Sequence, residues 1–292
     1  MDNWDEVKTA YQVARMGTVS GAADVLGVHH ATVIRHVDAL EKQLGVKLFQ
    51  RHARGYTATE AGQDLLRVAQ TADEHFSQLA GRIKGRESKV SGDLLVTSLV
   101  DIAPRLTPVL IAFQRRYPDV VVRYLTDERL FRLEYGEAHI ALRAGTVPDQ
   151  PDNVVQQFHH HRMGLFAAPE YVARHGLPTG LEAFSEHRFV ARDADESRAP
   201  YERWLRQQVP RANLVFRSSD TRTLSTAILA GAGIGFLPTF QKKMAPELIE
   251  VYPHQDDWRI SLWIVTHVDL HRTSKVQAFL NFLKTASKEW ED

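Results

Sequence analysis

The chain of 292 residues contains no cysteine, carries no formal net charge and has no long apolar run. The absence of thiols excludes disulfides, thiolate metal sites and a cysteine-based redox switch. Because 36 basic residues balance 36 acidic ones, any nucleic-acid site must be local rather than spread over the surface. No apolar run reaches the length of a membrane span, and the acidic, amphipathic first residues do not resemble a signal peptide. We therefore expect a cytoplasmic protein without membrane contact.

A short helix, a tight turn, a second helix and a basic hairpin are predicted within residues 20–62. Ser20 can cap the first helix, Gly27 suits the turn because it tolerates positive φ, and His29 can cap the second helix. Gly45 follows where a C-terminal glycine is expected. The second helix should bury an apolar row formed by Val33, Val37, Leu40 and Leu44. Two helices joined by a short turn place the second one in a DNA major groove, so this stretch predicts binding to double-stranded DNA.

The face of the second helix opposite that apolar row is expected to contact bases. It carries Arg35, a residue type that bridges guanine O6 and N7 or clamps a phosphate. Ile34 on the same face could pack on a neighbouring loop, but we favour contact with a thymine methyl group, which would use an exposed isoleucine. A basic turn before Gly55 is expected to form a wing against phosphates. The residues predicted to contact DNA are Ser20, His29, His30, Ala31, Thr32, Ile34, Arg35, Arg51 and Arg54.

A long helix capped by Thr59 is predicted after the wing. Its apolar residues alternate at spacings of four and three, which is the pattern of a heptad seam. The helix could lie on its own body or pair with a second copy, and we favour pairing because two alanines in the row allow close approach. The predicted seam, which implies a homodimer or homotetramer, consists of Leu65, Ala69, Ala72, Phe76, Leu79 and Ile83. Residues 85–89 are the expected boundary.

From Gly92 onward, strands and helices alternate, which predicts an α/β region with a mainly parallel sheet. Strands are expected at 94–98, 120–125 (buried), 139–143, 164–167, 188–191, 213–217 and 261–266. Helices are expected at 104–117, near 128–135, at 169–175, around Trp204, at 221–230 and at 275–287. In such folds ligands bind at the carboxyl ends of the strands.

The first part of the chain resembles the winged helix-turn-helix of LysR-type transcriptional regulators. The matching motifs are Ala22-Ala23, Leu26, Leu40-Glu41, Gly45-x-x-Leu48-Phe49-x-Arg51 and Thr59-x-x-Gly62. The sequence departs from the family at 29–35, where His-His-Ala-Thr-Val-Ile-Arg replaces the frequent Ser-Gln-Pro-Ala-Val-Ser-Arg. These positions face the bases, so the departure bears on the target sequence and not on the fold. The resemblance implies that the long helix pairs two copies.

The remainder also resembles these regulators, whose effector region is two Rossmann-like lobes similar to a type 2 periplasmic binding protein. The matching motifs are Tyr117-Pro118-Asp119-Val120, Ala141-Leu142-Arg143, Ala168-Pro169-Glu170-Tyr171-Val172 and Gly231-Ala232-Gly233-Ile234-Gly235. The resemblance implies an α/β protein with an N-terminal all-α winged helix-turn-helix. It divides the chain into a DNA-binding domain (1–60), a linker helix (61–90) and an effector domain (91–292). Lobe I would comprise about 91–162 and 267–292 and lobe II about 163–266, with crossings near 161–164 and 266–269.

An effector is expected in the cleft between the lobes, at strand ends and helix N-termini. An arginine with hydroxyl groups and helix termini suits a small anionic metabolite that bears a carboxylate. Ser219 and Asp220 could equally be plain helix caps, and Arg143 could be an ion-paired surface residue. The predicted effector-binding residues are Ser98, Val100, Asp101, Arg143, Ser219 and Thr221.

No metal, cofactor or catalytic site is predicted. His159 and His161 would share one face of a strand, but zinc requires at least three ligands and no partner spacing completes the set. No nucleophile or acid–base constellation is present, so we do not expect an enzyme. The prediction is a sequence-specific transcriptional regulator with a small anionic effector. The alternative is an orphan α/β ligand-binding protein or enzyme with an accessory DNA-binding domain.

Overall fold

A computed structural model describes residues 3–52, 55–83, 90–126, 129, 131–193, 197 and 199–290. The chain divides into two units. The first comprises Met1–Val90, Phe131–His139 and His267–Gln277, and the second comprises Ser91–Leu130, Ile140–Thr266 and Ala278–Asp292. Within the described part of the chain, no helix combines the length and the apolar character needed to cross a membrane.

The N-terminal part of the first unit packs three helices, a hairpin and a long helix around one core. The elements are α1 (Trp4–Met16), α2 (Val19–Leu26), α3 (His30–Leu44), β1 (Phe49–His52), β2 (Gly55–Ala58) and α4 (Glu60–Ile83). Apolar residues at helical spacing on α1 and α3 face each other, and the core they form includes Val7, Ala10, Val13, Val33, Val37, Leu40, Leu48 and Phe49. The predicted order of helix, turn, helix and hairpin is confirmed.

The helix termini agree only partly with the prediction. Thr18, not Ser20, caps α2, because the extended backbone at Thr18 lets its hydroxyl accept a hydrogen bond from the Gly21 N–H. Ser20 therefore lies inside the helix. His29 precedes α3 as predicted, but its side chain makes no capping hydrogen bond. Gly45 ends α3 with φ +71°, as its position indicated.

The last residue of the predicted buried row of α3 is exposed. Val33, Val37 and Leu40 are buried as expected, but Leu44 is 39% exposed. The chain turns at Gly45 directly after Leu44, and Leu48 and Phe49 enter the core instead. The prediction for Leu44 is therefore wrong.

Thr59 caps the long helix α4 as predicted. Its hydroxyl accepts a hydrogen bond from the Gly62 N–H at 3.2 Å and donates one to the Lys47 carbonyl at 2.7 Å. The side chain thus fixes both the start of α4 and the loop before the hairpin. The predicted boundary at residues 85–89 lies outside the described residues.

Ten strands and seven helices are described after α4. The strands are β3 (Gly92–Ser98), β4 (Val120–Thr126), β5 (Ile140–Ala144), β6 (Asn153–His161), β7 (Met163–Ala167), β8 (Phe189–Arg192), β9 (Leu214–Ser218), β10 (Gly235–Pro238), β11 (Ile249–Tyr252) and β12 (Ile260–His267). The helices are α5 (Ala103–Arg116), α6 (Pro169–His175), α7 (Pro200–Gln208), α8 (Thr221–Leu229), α9 (Gln241–Met244), α10 (Val268–His271) and α11 (Ser274–Ala286).

The first sheet has five strands in the order β4-β3-β5-β12-β6. β3 runs parallel to both β4 and β5, whereas β12 runs antiparallel to β5, so the predicted mainly parallel sheet is confirmed around β3. We call this sheet with α5 the first lobe. Phe279 of α11 packs against Phe113 of α5 with ring centroids 5.1 Å apart, so the last helix returns to this lobe as expected.

Two predictions for the first lobe are corrected. The strand predicted as buried, β4, is the edge of the sheet, and only one of its faces is covered, because Val120 is buried whereas Val121 and Arg123 on the other face are exposed. Where a helix was predicted near 128–135, the described residues form a single 3-10 turn at Leu133–Tyr135 that ends at Gly136 with φ +68°. Glu128 and Leu130 lie outside the described residues.

The second lobe, which we define as the described residues between 163 and 259, contains two small sheets. β7 lies between β10 and β11, antiparallel to both, and β8 pairs in parallel with β9. The Val190 N–H donates to the Ile234 carbonyl and the Ile234 N–H donates to the Arg188 carbonyl, so β8 is joined to the segment before β10. The core between the sheets and α7 includes Phe184, Phe189, Leu205 and Trp258.

The chain crosses between the lobes twice, but one crossing differs from the prediction. The first lies at Arg162, between β6 and β7, as expected. The second was expected near Thr266, yet β12 already belongs to the first sheet, with Val265 opposite Ala141 of β5. The chain therefore leaves the second lobe between Tyr252 and Ile260. The pairing partner of β12, which local sequence does not reveal, moves this boundary.

Candidate DNA-reading surface and effector cleft

The face of α3 opposite the core is exposed over its first turns. Ala31, Ile34, Arg35 and Asp38 lie on this face as predicted, and Ile34 is 38% exposed although it is apolar. Among the described residues Arg35 has no ion-pair or hydrogen-bond partner, so its guanidinium can meet a base edge or phosphate. The remaining candidates on this side, all of them exposed or partly exposed, are Ser20, His29, His30 and Thr32.

The hairpin after α3 is held to that helix by a buried carboxylate. Glu41 accepts hydrogen bonds from the Leu48 N–H at 2.9 Å and the Phe49 N–H at 3.2 Å, and Lys47 donates to it at 2.6 Å. Arg51 donates to Glu41 at 3.1 Å and forms a second ion pair with Asp38. Sequence reasoning did not single out this network, although the Leu40-Glu41 pair places an acidic residue beside the buried row.

The network changes the protonation equilibria of its members. Burial alone would raise the pKa of Glu41, but hydrogen bonds from Lys47 and from two backbone N–H groups outweigh it and lower the pKa. The hydrogen bond to Asp38 raises the pKa of Arg51, so that side chain stays charged. Arg51 therefore fixes the position of the wing, in addition to any contact it makes with DNA. Arg54 lies outside the described residues.

The predicted seam of α4 divides into two parts. Ala69 is buried and Leu65 is partly buried against the core of the same chain. This part of α4 therefore follows the alternative prediction, in which the helix lies on its own body. Phe76 is 56% exposed and Leu79 44% exposed. The side chain of Ile83 lies outside the described residues.

An apolar groove lies between α1 and α4, next to the exposed part of that seam. Trp4 and Phe76 meet edge to face at its rim with ring centroids 5.8 Å apart. Val7, Tyr11 and Ala72 line its floor and sides, and its volume is about 310 Å³.

A cleft within the second unit lies between the two lobes. Asp101, in the short 3-10 turn after β3, lines it from the first lobe, and Thr221 at the start of α8 lines it from the second. Second-lobe side chains that complete the lining include Arg192, Tyr201, Glu202, Ser225 and Phe236. The space open to the centre of a water molecule is about 40 Å³, enough for only a few waters. A larger effector therefore requires the lining side chains to move.

Four of the six predicted effector residues are not among the described residues that line this cleft. Ser98 is buried at the end of β3, where its hydroxyl is 2.8 Å from the Leu99 carbonyl and 2.6 Å from the Tyr124 hydroxyl. Arg143 donates a 2.9 Å hydrogen bond to Gln150. The other two are Val100 and Ser219.

The capping interpretation of Asp220 is confirmed. Its carboxylate accepts hydrogen bonds from the N–H groups of Arg222 at 2.7 Å and Thr223 at 3.2 Å. The Asp220 carboxylate therefore already compensates the partial positive charge at the start of α8.

The side chains that line the cleft change the pKa of Tyr201. Burial raises the pKa of Tyr201, the carboxylates of Glu202 and Asp101 raise it further, and Arg192 opposes them. Tyr201 is therefore a neutral hydroxyl at physiological pH. Glu202 is only 9% exposed, and its Oε2 atom has no hydrogen-bond partner among the described residues. Sequence reasoning missed Arg192, Tyr201 and Glu202, because only the fold brings the end of β8 and the start of α7 beside Asp101.

The histidine run lies at the end of β6. The His159 ring is 3.2 Å from an Arg105 guanidinium nitrogen, and the His161 ring packs 5.4 Å from the Phe240 ring. Arg105 also lies over the Phe240 ring at 4.3 Å. These side chains form a cation–aromatic cluster within the second unit.

Two family models together match most of the chain. Residues 4–63 match the bacterial regulatory helix-turn-helix protein, lysR family, and residues 88–288 match the LysR substrate binding domain. An HTH-type transcriptional repressor of Pseudomonas aeruginosa is 27% identical over 299 residues, covering 97% of this chain and 92% of that protein. The HTH-type transcriptional regulator CrgA of Neisseria meningitidis serogroup C is 28% identical over 290 residues, covering 96% of each.

Solved structures agree with these matches. The structure of CrgA superposes with a TM-score of 0.59 at 26% identity, covering 98% of this chain and 99% of that one. A full-length OxyR variant from Pseudomonas aeruginosa superposes with a TM-score of 0.68 at 16% identity, covering 99% of this chain and 95% of that one, which shows the shared fold. The chain belongs to the LysR family and is a DNA-binding transcriptional regulator with an effector-binding domain.

Proposed function

We propose that this regulator reads its operator with the exposed face of α3 and responds to a small effector in the cleft between the lobes. Residues 1–60 are assigned to DNA binding, 61–90 to pairing of two copies and 91–292 to effector binding. The observation that carries the DNA assignment is Arg35, which stands exposed on α3 while Glu41 fixes α3 to the wing. Base readout requires such a charged donor on a helix of fixed orientation.

The groove between α1 and α4 supports self-association. Trp4, Phe76 and Leu79 expose apolar surface on neighbouring helices, and the seam continues along α4 at heptad spacing. We assign the groove to a second copy of the chain, because a homodimer presents two α3 helices to the two halves of an operator. The dimer is the smallest assembly that satisfies this geometry.

The effector is proposed to carry an anionic group. Arg192 supplies the cation in the cleft, and the hydroxyl groups of Thr221 and Ser225 supply hydrogen bonds. Asp101 joins the first lobe to this set, so an effector that touches both sides can favour one arrangement of the lobes over another. Arg143 is not assigned to the pocket, because its guanidinium is bonded to Gln150.

The proposed function is tested by footprinting the full chain on DNA upstream of its own gene, with and without candidate carboxylates. We expect a protected site of two half-sites and a changed protection pattern when an effector is present. A protein that protects no specific site contradicts the proposed DNA readout. Specific protection that no carboxylate alters contradicts the anionic effector alone.

A further inference from the structure

We infer that the effector carries a cationic amino group which binds Glu202, beside a carboxylate held by Arg192, and that it is therefore a zwitterion of the α-amino-acid class. The inference rests on the proposed function of the cleft between the lobes. It is carried by the burial of Glu202, by its hydrogen bonding and by the charges around it.

Glu202 has an acceptor that the described part of the chain leaves unused. The residue is buried to about nine-tenths, and its Oε2 atom accepts no hydrogen bond from a described residue. A buried carboxylate oxygen without a donor is costly, so such atoms in folded proteins call for a partner. Glu202 lines the cleft together with the neighbouring Tyr201, so a ligand in the cleft can supply that partner.

The charges that line the cleft do not suit a plain anion. Among the described residues that line the cleft, Asp101 and Glu202 contribute two negative charges and Arg192 one positive charge, a formal sum of −1. The helix terminus at Thr221 is already capped by Asp220, so it adds little for a second carboxylate. A ligand with an ammonium group next to a carboxylate can pair the ammonium group with Glu202 and the carboxylate with Arg192. The few water molecules that the space admits also favour a small ligand.

Glu202 and Arg192 also border an adjoining cavity within the second lobe, which Arg211 lines and Thr221 does not. A ligand in the cleft touches Thr221, whereas a ligand in the adjoining cavity touches Arg211. Substitution of these two residues therefore distinguishes the two positions.

The test is calorimetry of the full chain with the standard L-amino acids and with their counterparts that lack the amino group, such as propionate for alanine and succinate for aspartate. We expect at least one amino acid to bind about tenfold or more tightly than its counterpart, and Glu202→Gln to remove that difference, since an amide makes a weaker bond to an ammonium group. Glu247→Gln, which removes an exposed carboxylate of the same lobe, should bind like the parent. Circular dichroism should show both variants folded.

Three outcomes overturn the inference: no amino acid binds, the counterparts bind as tightly as the amino acids, or Glu202→Gln keeps the full preference. Thr221→Val should weaken binding and Arg211→Ala should leave it unchanged, and the reverse result also overturns it. In each case footprinting of the operator is unaffected, so failure of this inference is distinct from failure of the proposed DNA readout.

Discussion

The Glu41 carboxylate on α3 accepts a 3.1 Å hydrogen bond from Arg51 of the wing, so the helix that faces DNA and the hairpin beside it are joined by an ion pair. Glu41 also accepts from two backbone N–H groups at the start of β1, and its side chain is almost fully buried. One residue thereby satisfies the hydrogen-bonding groups at the junction of the two DNA-reading elements.

Glu41→Gln should destabilise the DNA-binding domain by about 1.5–3 kcal/mol. The amide oxygen can still accept from the Leu48 and Phe49 N–H groups, but the charge that bonds Lys47 and Arg51 is lost. Hydrogen exchange of the Leu48 and Phe49 amides in the full chain measures this change. Asp24→Asn removes an exposed charge from α2 and should leave their protection unchanged. Unaltered protection in Glu41→Gln would contradict the assigned network.

The same carboxylate should make stability depend on pH. Its pKa is lowered below the ordinary value of 4.5, so its contribution is complete above that value and is lost as the pH falls through the folded-state pKa. We expect amide protection in the wing to fall as the pH is lowered below 4.5 in the parent and to change less in Glu41→Gln. Equal loss in both proteins would show that other carboxylates are responsible.

Arg35→Ala should weaken specific operator binding by on the order of 1–3 kcal/mol while the fold and the assembly persist. The reason is that Arg35 stands on the exposed face of α3 and packs in no core. Gel-shift titration on the footprinted site measures the change. Arg123→Ala, an exposed arginine of the effector domain, serves as the matched control. Parent-like affinity in Arg35→Ala would count against the groove assignment of α3.

Phe76→Asp should convert dimers into monomers, because the substitution places a charge in an apolar seam. Phe76 is more than half exposed in the single chain, so the chain itself should remain folded. Sedimentation velocity at several concentrations measures the change. Val68→Asp alters an exposed apolar residue of α4 outside the predicted seam and should leave the dimer intact. If the Phe76→Asp protein remains a dimer, this face of α4 is not part of the dimer interface.

Arg192→Ala should abolish the response to a carboxylate effector and leave basal operator binding intact, since Arg192 is the one cationic side chain among the described residues that line the cleft. The coupling lost is on the order of 1–3 kcal/mol, the usual range for such effectors. Footprinting with and without effector measures it. Arg143→Ala should retain the response, because Arg143 bonds Gln150 and is not among the cleft residues. If Arg143→Ala loses the response and Arg192→Ala keeps it, the assignment of the pocket is wrong and the effector binds at the end of β5.

A second pH effect is expected in the second lobe at His187. Burial lowers the pKa of His187 below its ordinary value of 6.5, and nearby His175 lowers it further. Between the lowered pKa and 6.5 the unfolded chain binds a proton that the folded chain does not, so stability falls as the pH falls through this window. Urea titrations at pH 7.5 and 5.5 should show a smaller change in His187→Asn than in the parent. His175→Asn removes the smaller of these two causes and should reduce the change less than His187→Asn does.

The sequence correctly predicted those helices and strands whose boundaries depend only on neighbouring residues. Helix α6 begins after Ala168 with a proline and ends before a glycine, and its predicted and observed bounds coincide. The exposed position of Arg35 also followed from helical periodicity alone. Features that depend on distant pairing were missed: β4 is an edge strand because no described strand pairs with its outer side, and β12 belongs to the first lobe because it pairs with β5.

The effector residues show the same limit. Asp101 follows the end of a strand and Thr221 is the first residue of a helix, and general rules for α/β folds place ligands at such positions. Glu202 lies in the first turn of the polar helix α7, and only the fold brings this turn and the end of β8 beside Asp101. Arg143 satisfied the same strand-end rule, yet its side chain bonds Gln150.

The two crossings at Arg162 and between Tyr252 and Ile260 have a mechanical consequence. A body tied to another by a single strand can swivel and tilt in several directions, whereas two separate ties leave rotation about the line that joins them as the easiest motion. Closure on a ligand is then directed along one axis, so effectors of different shape should produce the same kind of displacement and differ only in its extent. We therefore expect the fold to convert chemical variety at the ligand into a single graded variable, the angle between the two lobes.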